Sequence, residues 1–266
     1  MPISSLIKIR EISRDEYHRL DYRVMGVVYG IHNDLGRLYD EKIYRRALAN
    51  RCRRIGLKAD EEVAIKVVHR DFEKKYLIDL IINDSIIYEL KSASGFNPKH
   101  RGQLLNYIFL AGAYFGKLVN MGTASVEDEY ITTNISTEER YKINLDDKAW
   151  KALGKDSKWL RELLVELVSD WGMFLSLDLY QEAVQFFYNA ERPLLQEVRI
   201  EDKEYFLGVQ KAYLLDGKIG VFFSGLTVSR QSFQKHLERF LRYSGLKAIH
   251  WINFNHHNLT LKTLID

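Results

Sequence analysis

Apolar positions in the first part of the chain change from helical spacing to short continuous runs. Leu20, Val24 and Ile31 recur at helical intervals, which predicts an amphipathic helix over about 14–33. After a break, a second helical pattern covers about 40–54. Runs rich in Ile and Val then predict three strands, over 63–68, 76–82 and 86–90.

A third helix is predicted to begin at Asn97-Pro98, because Asn caps helices and Pro suits their first turn. It is expected to end near Gly112, before two more strands over about 117–121 and 129–133. The order of two helices, three strands, a helix and further strands is typical of an α/β or α+β sheet flanked by helices.

The second half of the chain shows the same order of patterns after a polar stretch without periodicity. Helices are predicted over 159–171, 177–190 and 231–243, and strands over 198–200, 205–215, 219–223, 248–254 and 259–264. We therefore predict two tandem domains, residues 1–135 and 148–266, joined by a linker over 136–147.

A shift of the chain by 136 positions places 34–48 opposite 170–184. Identical residues then coincide at six pairs: Asp34/Asp170, Gly36/Gly172, Tyr44/Tyr180, Ala47/Ala183, His100/His236 and Tyr107/Tyr243. Two polar residues are not repeated: Glu41 faces Leu177, and Gln103 faces Arg239. We interpret the C-terminal half as a degenerate copy that kept the scaffold, with chance coincidence as the alternative.

The composition is that of a folded protein, with 46% hydrophobic residues and only 3 Pro. No apolar stretch approaches the length of a membrane span, and the N-terminus lacks the pattern of a signal peptide. Cys52 is the single cysteine, so an internal disulfide is impossible. We expect a cytoplasmic protein without a membrane partner.

The net charge of +3 is small, but it is unevenly distributed. Between Arg37 and Lys58 there are eight basic residues and two acidic ones, Asp40 and Glu41. Such a stretch can attract a polyanion, and a solvated helix face is the alternative.

Two carboxylates interrupt the apolar strands of the first half. Asp79 lies in YLIDLII and Glu89 in IIYELKS, where an unpaired carboxylate is costly to bury. Glu89 and Lys91 are two positions apart and therefore point to one face of the sheet.

The turn between these strands decides whether Asp79 shares that face. A two-residue turn would place Asp79 on the other face. A three-residue turn over 83–85 pairs Ile82 with Ile86 and hence Asp79 with Glu89, and Asn and Asp tolerate the left-handed backbone that such a turn requires.

Two opposed carboxylates repel each other unless a cation lies between them, and such oxygen ligands suit Mg²⁺ or Mn²⁺. Lys91 would then orient a water or offset charge on a phosphate. The alternative is an exposed edge hairpin with an ordinary Glu–Lys pair. Glu41 and Gln103 lie on helix faces that can reach the same point, beside Tyr44 and Tyr107, which we expect to pack as supporting residues.

Asp79, Glu89-x-Lys91 and Gln103-x-x-x-Tyr107, in this order, resemble the PD-(D/E)XK nuclease superfamily in its Gln-x-x-x-Tyr branch. The resemblance implies a PD-(D/E)XK nuclease-like sheet flanked by helices. It also implies a phosphodiesterase that acts on DNA or RNA.

The segment 31–48 (IHNDLGRLYDEKIYRRAL) looks like the GxxExxY family of that superfamily. Glu41 and Tyr44 match its pattern, whereas Leu38 stands where the family has glycine. The resemblance covers about residues 14–134.

The resemblance also implies roles for the polar residues. Asp79 and Glu89 would ligate the metal, and Glu41 would hold it directly or through water. Lys91 would assist the attacking water, and Gln103 would orient Lys91 or a phosphate.

Our first hypothesis is a nuclease that depends on Mg²⁺ or Mn²⁺ and cleaves DNA, or RNA, with the C-terminal half as a substrate-binding, homodimer or protein-partner region. The expected nucleic-acid-binding residues are basic: Arg45, Arg46, Arg53, Arg54, Lys99 and Arg101. The second hypothesis is a non-catalytic nucleic-acid-binding or assembly subunit with the same fold. The third is a small-molecule hydrolase.

Overall fold

The computed structural model describes residues 2–188 and 193–265. It divides the chain into two compact units, Met1–Glu139 and Arg140–Asp266. Within the described residues each unit has one six-stranded sheet and three α-helices. The predicted fold class, a mixed α/β sheet flanked by helices in two tandem units, is confirmed.

The first unit begins with a short edge strand that the sequence pattern did not predict. Its elements in chain order are β1 (Ile3–Ser5), α1 (Arg14–Leu35), α2 (Glu41–Arg54), β2 (Ala59–His69), β3 (Phe72–Ile82), β4 (Ile86–Lys91), α3 (Pro98–Ala111), β5 (Phe115–Asn120) and β6 (Glu127–Thr132). The strands lie in the order β1-β2-β3-β4-β5-β6. Among the described strand pairs of this unit, β4 with β5 is the parallel one, and α3 makes the crossover between them.

Local capping signals explain where α3 begins and ends. The Asn97 side chain accepts hydrogen bonds from the backbone N–H groups of Lys99 and His100, and Pro98 is the first helical residue. Gly112 closes the helix with a left-handed backbone, φ 68°. The predicted limits of this helix therefore agree with the structure.

The turn between β3 and β4 has the predicted three residues. Asn83 and Asp84 adopt φ angles of 49° and 52°, and Ile82 pairs with Ile86. This register places residue 79 and residue 89 on one face of the sheet. The opposite face carries Tyr88 and Leu90 into the hydrophobic core beneath α1 and α2.

The second unit contains, in chain order, β7 (Asn144–Ala149), α4 (Lys155–Trp171), α5 (Leu177–Phe187), β8 (Leu195–Asp202), β9 (Tyr205–Leu215), β10 (Ile219–Ser224), α6 (Arg230–Ser244), β11 (Ala248–Asn255) and β12 (Asn258–Ile265). Its strands lie in the order β7-β12-β11-β10-β9-β8. The helix predicted over 177–190 ends earlier, at Phe187, because Tyr188 has extended backbone; residues 189–190 lie outside the described part.

The polar stretch predicted as a linker over 136–147 is partly regular structure, which corrects that expectation. A short 3₁₀ helix covers Glu139–Tyr141, and β7 begins at Asn144 and pairs in parallel with β12. The sequence NLDDKA has no apolar alternation because five of its six residues are exposed and the sixth is half-buried, so its pattern did not indicate a strand.

The two units have the same order of elements along the chain, and a polar contact between their first two helices occurs in both. In each, the tyrosine of the second helix donates a hydrogen bond to the carbonyl of the glycine that ends the first helix: Tyr44 to Gly36, and Tyr180 to Gly172. Both pairs agree with the shift of 136 positions.

From the sheet onwards, the elements of the two units correspond at a shift of 133 positions rather than 136. Gly112 and Gly245 cap α3 and α6 with left-handed backbone and are 133 positions apart. At this shift Gln103 faces His236 and Tyr107 faces Phe240, so the pairs that involve His100 and Tyr107 at 136 positions are wrong. The change from a shift of 136 to one of 133 positions falls after the second helix of each unit, α2 or α5, and before its long strands, β3 or β9.

No helix in the described ranges is both long and apolar enough to cross a lipid bilayer.

Candidate active site

The polar side chains of β3 and β4 meet α2 at one end of the first sheet. An open cleft of about 440 Å³ lies there. It is lined by Asp40, Glu41, Lys42, Arg45, Asp79 and Ser92. Glu89 and Lys91 lie beside it on the same face of the sheet, because β4 alternates its side chains.

Glu89 is the most deeply buried acidic residue of this cluster, with 2% of its surface exposed. Its Oε1 atom accepts a hydrogen bond of 2.6 Å from the Lys91 Nζ atom. Its Oε2 atom is buried and has no hydrogen-bond partner within the described residues. Burial raises the pKa of Glu89 to about 7, and the nearby charge of Asp79 contributes to the rise.

Lys91 is held between carboxylates. Burial lowers the pKa of its ammonium group, but the negative charges of Glu89 and Glu41 outweigh this effect, so the pKa of Lys91 is raised overall. The Nζ atom lies 4.0 Å from the Glu41 Oε2 atom. Lys91 is therefore a cation at neutral pH and is suited to stabilise negative charge rather than to accept a proton.

Asp79 is directed at the neighbouring strand, and its side chain is only 17% exposed at the edge of the cleft. Its Oδ2 atom accepts a hydrogen bond of 3.0 Å from the Leu90 backbone N–H. Its Oδ1 atom accepts one of 3.2 Å from the Arg45 guanidinium. The structure thus brings Asp79 and Glu89 to the same face, as the three-residue turn requires.

Glu41 enters the cluster from the first turn of α2. Its Oε1 atom accepts a hydrogen bond of 3.1 Å from the Ser92 backbone N–H, at the end of β4. The Ser92 hydroxyl donates to the Tyr39 carbonyl oxygen at 2.9 Å. The end of β4 therefore holds both Glu41 and the loop that precedes it.

Tyr44 stabilises the loop before α2 through two hydrogen bonds of its hydroxyl. Its buried hydroxyl donates to the Gly36 carbonyl at 2.7 Å and accepts a hydrogen bond from the Tyr39 backbone N–H at 3.2 Å. Leu38 is 91% exposed and has no positive φ angle. The position where the GxxExxY family has glycine thus tolerates leucine here.

Gln103 forms no hydrogen bond with Lys91 among the described residues, so of the two roles that the resemblance implied, orienting a phosphate stays a prediction. Its amide donates a hydrogen bond of 3.0 Å to the Tyr107 hydroxyl. Tyr107 is buried, and its ring contacts Tyr76 edge to face at 6.2 Å. Burial raises the pKa of Tyr107, and the negative charges of Glu89 and Asp79 add to the rise.

Three of the six predicted nucleic-acid-binding residues are engaged with carboxylates. Arg45 binds Asp79 and Glu62, and its side chain is only 12% exposed. Arg101 forms a double hydrogen bond with Glu129. Both guanidinium groups are paired within the protein, so a role in phosphate binding would require them to leave these carboxylates.

Arg53 is also paired, since it donates to the Ala59 carbonyl and binds Glu61. The other three predicted residues, Arg46, Arg54 and Lys99, are exposed. They form no salt bridge within the described part of the chain.

Sequence reasoning missed the residues that hold the end of β4. Asn120 is fully buried, and its amide accepts from the Ala93 N–H at 3.0 Å and donates to the Ala93 carbonyl at 2.9 Å. Gly122 lies so close that an added Cβ atom would be 2.6 Å from the Ala93 nitrogen. The isolated Asn in the apolar run LVNM was the available signal, because a buried amide requires partners.

The second unit has a similar clamp, but without acidic residues at the corresponding strand positions. Asn253 binds both the N–H and the carbonyl of Leu226, at 2.8 and 3.0 Å. At the shift of 133 positions, Asp79 faces Ala212 and Glu89 faces Phe222. The C-terminal unit therefore has no counterpart of the carboxylate pair in its strands.

The carboxylates do not form a complete metal cage. Within the described residues, no group of three or more His, Cys, Asp or Glu side chains has the geometry to hold a metal ion. Asp79 is bound by Arg45, and Glu41 is bound by Ser92. The Oε2 atom of buried Glu89 nevertheless has no hydrogen-bond partner among the described residues. A bound cation would give this atom the partner that a buried polar group requires, so the site fits a metal ion.

Comparison with known proteins gives one family. The family model of the PD-(D/E)XK nuclease superfamily matches residues 18–133. None of the curated proteins matches the chain. Every residue of the polar cluster lies within the matched region, so this part of the N-terminal unit is similar to the PD-(D/E)XK nuclease superfamily.

Proposed function

We propose that the N-terminal unit is a divalent-metal-dependent nuclease that hydrolyses phosphodiester bonds in DNA, with RNA as the other substrate to be tested. The observation that carries the proposal is the buried Glu89–Lys91 pair beside Asp79, inside the region that matches a nuclease superfamily. We further propose that the unit is closest to the GxxExxY family and that the C-terminal unit is its degenerate copy.

Enzymes of this superfamily generally use divalent metal ions such as Mg²⁺. In this chain Glu89 and Asp79 would hold Mg²⁺ or Mn²⁺, with Glu41 as a direct or water-mediated third ligand. The bound ion would activate a water molecule for attack on phosphorus.

The residues of the chain prepare the site for this ion and for a phosphate. Leu90 N–H and Arg45 orient the Asp79 carboxylate, and Ser92 N–H orients Glu41. The Lys91 ammonium, 2.6 Å from Glu89, is placed to stabilise the negative charge that develops on the phosphate oxygens.

Substrate would approach over the exposed cations that remain unpaired among the described residues. Arg46 and Arg54 lie on α2, and Lys99 lies in the first turn of α3. Their positive charge suits the backbone of a nucleic acid. We place the enzyme in the cytoplasm, where the buried free thiol of Cys52 stays reduced.

A non-catalytic nucleic-acid-binding subunit is the second candidate. The observation that favours it is the engagement of both Asp79 oxygens, by Arg45 and by the Leu90 N–H. Under this alternative the carboxylates would be structural, and the C-terminal unit would serve a homodimer or another protein partner.

Cleavage of supercoiled, linear and single-stranded DNA and of RNA, with Mg²⁺, Mn²⁺ or EDTA, tests the proposal. Wild type is compared with Lys91→Ala and Asp79→Ala. Lys66→Ala is the matched control, because Lys66 on β2 forms an exposed ion pair with Glu73 on β3, away from the cluster.

We expect metal-dependent cleavage by wild type and the control, and a loss of about a hundredfold or more in both site variants. Equal cleavage by all four proteins would indicate a contaminating nuclease. Binding without cleavage by wild type would support the second candidate.

A further inference from the structure

The last helix of the C-terminal unit has one buried face and one basic face. Leu237 and Leu241 of α6 are buried in a cluster with Trp251 of β11. Lys235, Arg239 and Arg242 are exposed on the other side, at intervals of four and three residues. This spacing places the three cations in one stripe along the helix.

These cations differ from Arg45 and Arg101 of the N-terminal unit in having no internal counterion among the described residues. Arg45 and Arg101 bind carboxylates directly. Across the described ranges, by contrast, no salt bridge involves Lys235, Arg239 or Arg242. Their charge is therefore open to an external anion.

The helix has a single acidic residue. Glu238 accepts a hydrogen bond of 2.7 Å from the Gln234 amide. With Arg230 at its first position, α6 carries four basic residues against this one carboxylate. A cleft of about 400 Å³ beside the helix is lined by both Glu238 and Arg242, and by Lys151.

We propose that the exposed face of α6 binds the phosphate backbone of a nucleic acid; the choice of nucleic acid rests on the proposed function. The stripe from Lys235 to Arg242 spans about 10 Å, at about 1.5 Å per residue. This length corresponds to about three nucleotides of one strand, at about 3.4 Å each. Each cation can thus meet a separate phosphate.

The structure favours nucleic acid over a lipid surface. A helix that lies in a membrane interface needs an exposed apolar face. The apolar face of α6 is already packed on the sheet through Leu237 and Leu241, so its free side offers charge but no large hydrophobic surface.

The test measures binding of the full chain to a labelled DNA duplex in EDTA, so that cleavage does not interfere, over a range of salt concentrations. The variant is Lys235→Gln/Arg239→Gln/Arg242→Gln. The matched control is Lys155→Gln/Lys158→Gln/Lys203→Gln, which removes the same charge from α4 and from the turn between β8 and β9. A second variant, Glu238→Gln, changes the charge in the opposite direction. Tryptophan fluorescence and circular dichroism check that each protein is folded.

We expect the triple variant to lower the salt slope of binding by about 2 to 3, because each lost phosphate contact contributes about 0.9. Its affinity at 0.1 M salt should fall about a hundredfold. The control should bind like wild type, and Glu238→Gln should bind more tightly.

Equal binding by the triple variant and its control would overturn the inference, as would absence of binding by wild type at low salt. Cleavage by wild type in that case would leave the proposed function intact. Conversely, binding that depends on α6 without cleavage under any metal would support the inference and refute the nuclease.

Discussion

His250 should make the C-terminal unit sensitive to acid. It lies fully buried in β11. Its Nε2 atom is 2.8 Å from the Ser157 hydroxyl, and its Nδ1 atom is 3.1 Å from the Thr263 hydroxyl. The Trp150 ring stacks on it at 4.0 Å. Burial lowers the pKa of His250 to about 4, and no carboxylate offsets this effect.

The magnitude follows from the difference between the folded and unfolded pKa values. The ordinary value is 6.5, and the folded value is about 4. The unfolded chain therefore binds the proton more readily, so stability is complete above pH 6.5 and is lost as the pH falls towards 4. The full loss is about 3 kcal/mol, and roughly 2 kcal/mol is lost by pH 5.

Urea unfolding between pH 8 and pH 5 measures this loss. All four tryptophans, at positions 150, 159, 171 and 251, lie in the C-terminal unit, so their fluorescence reports its unfolding. His250→Gln removes the titrating group, and His236→Gln on the exposed side of α6 is the matched control.

Between pH 8 and pH 5, we expect the free energy of unfolding of wild type and of His236→Gln to fall by about 2 kcal/mol more than that of His250→Gln. His250→Gln itself should be less stable at pH 8, because it disturbs buried hydrogen bonds. If the free energies of unfolding of wild type and His250→Gln differed by the same amount at every pH, the reasoning would be refuted. Such a result would mean that burial does not hold the imidazole neutral.

Three further predictions concern the N-terminal unit. Glu89→Gln should abolish metal-dependent cleavage and the rise in melting temperature on addition of Mn²⁺; an unchanged rise would exclude Glu89 as a ligand. Tyr44→Phe should lower the free energy of unfolding by about 1 to 2 kcal/mol, because the Tyr44 hydroxyl holds the loop before α2; unaltered urea denaturation would contradict this role. Gly122→Ala should lower the free energy of unfolding by about 1 to 3 kcal/mol, because the added Cβ atom would meet the Ala93 backbone. Gly102→Ala should raise the stability of the protein, because Gly102 lies in helix α3 with open space around it. Equal melting temperatures for these two variants would refute the close approach.

Local signals were sufficient for the elements that place the carboxylates. Asn97 and Pro98 specify the start of α3, and the backbone preferences of Asn83 and Asp84 specify the turn after β3. These signals act within a few residues of the chain, so they can be recognised in the sequence without the tertiary structure. They were enough to predict that Asp79 and Glu89 share a face.

The edge strands show where such signals fail. β1 is only three residues long, and the side chains of β7 are mostly exposed. Neither strand buries one face, so neither has the alternation on which a sequence prediction depends. Both form because a partner strand, β2 or β12, offers free backbone hydrogen bonds.

By itself, the sequence determined the order of the helices and of the strands other than β1 and β7, together with the residues of the polar cluster, because periodicity is a local property. The turn residues Asn83 and Asp84 favoured the register that the β3–β4 hairpin adopts. Only the tertiary structure decided which charges are free. Arg45 and Arg101 looked like phosphate ligands in the sequence, but distant parts of the chain bring Asp79 and Glu129 to them. An ion pair depends on distances between residues remote in sequence, and those distances exist only after folding.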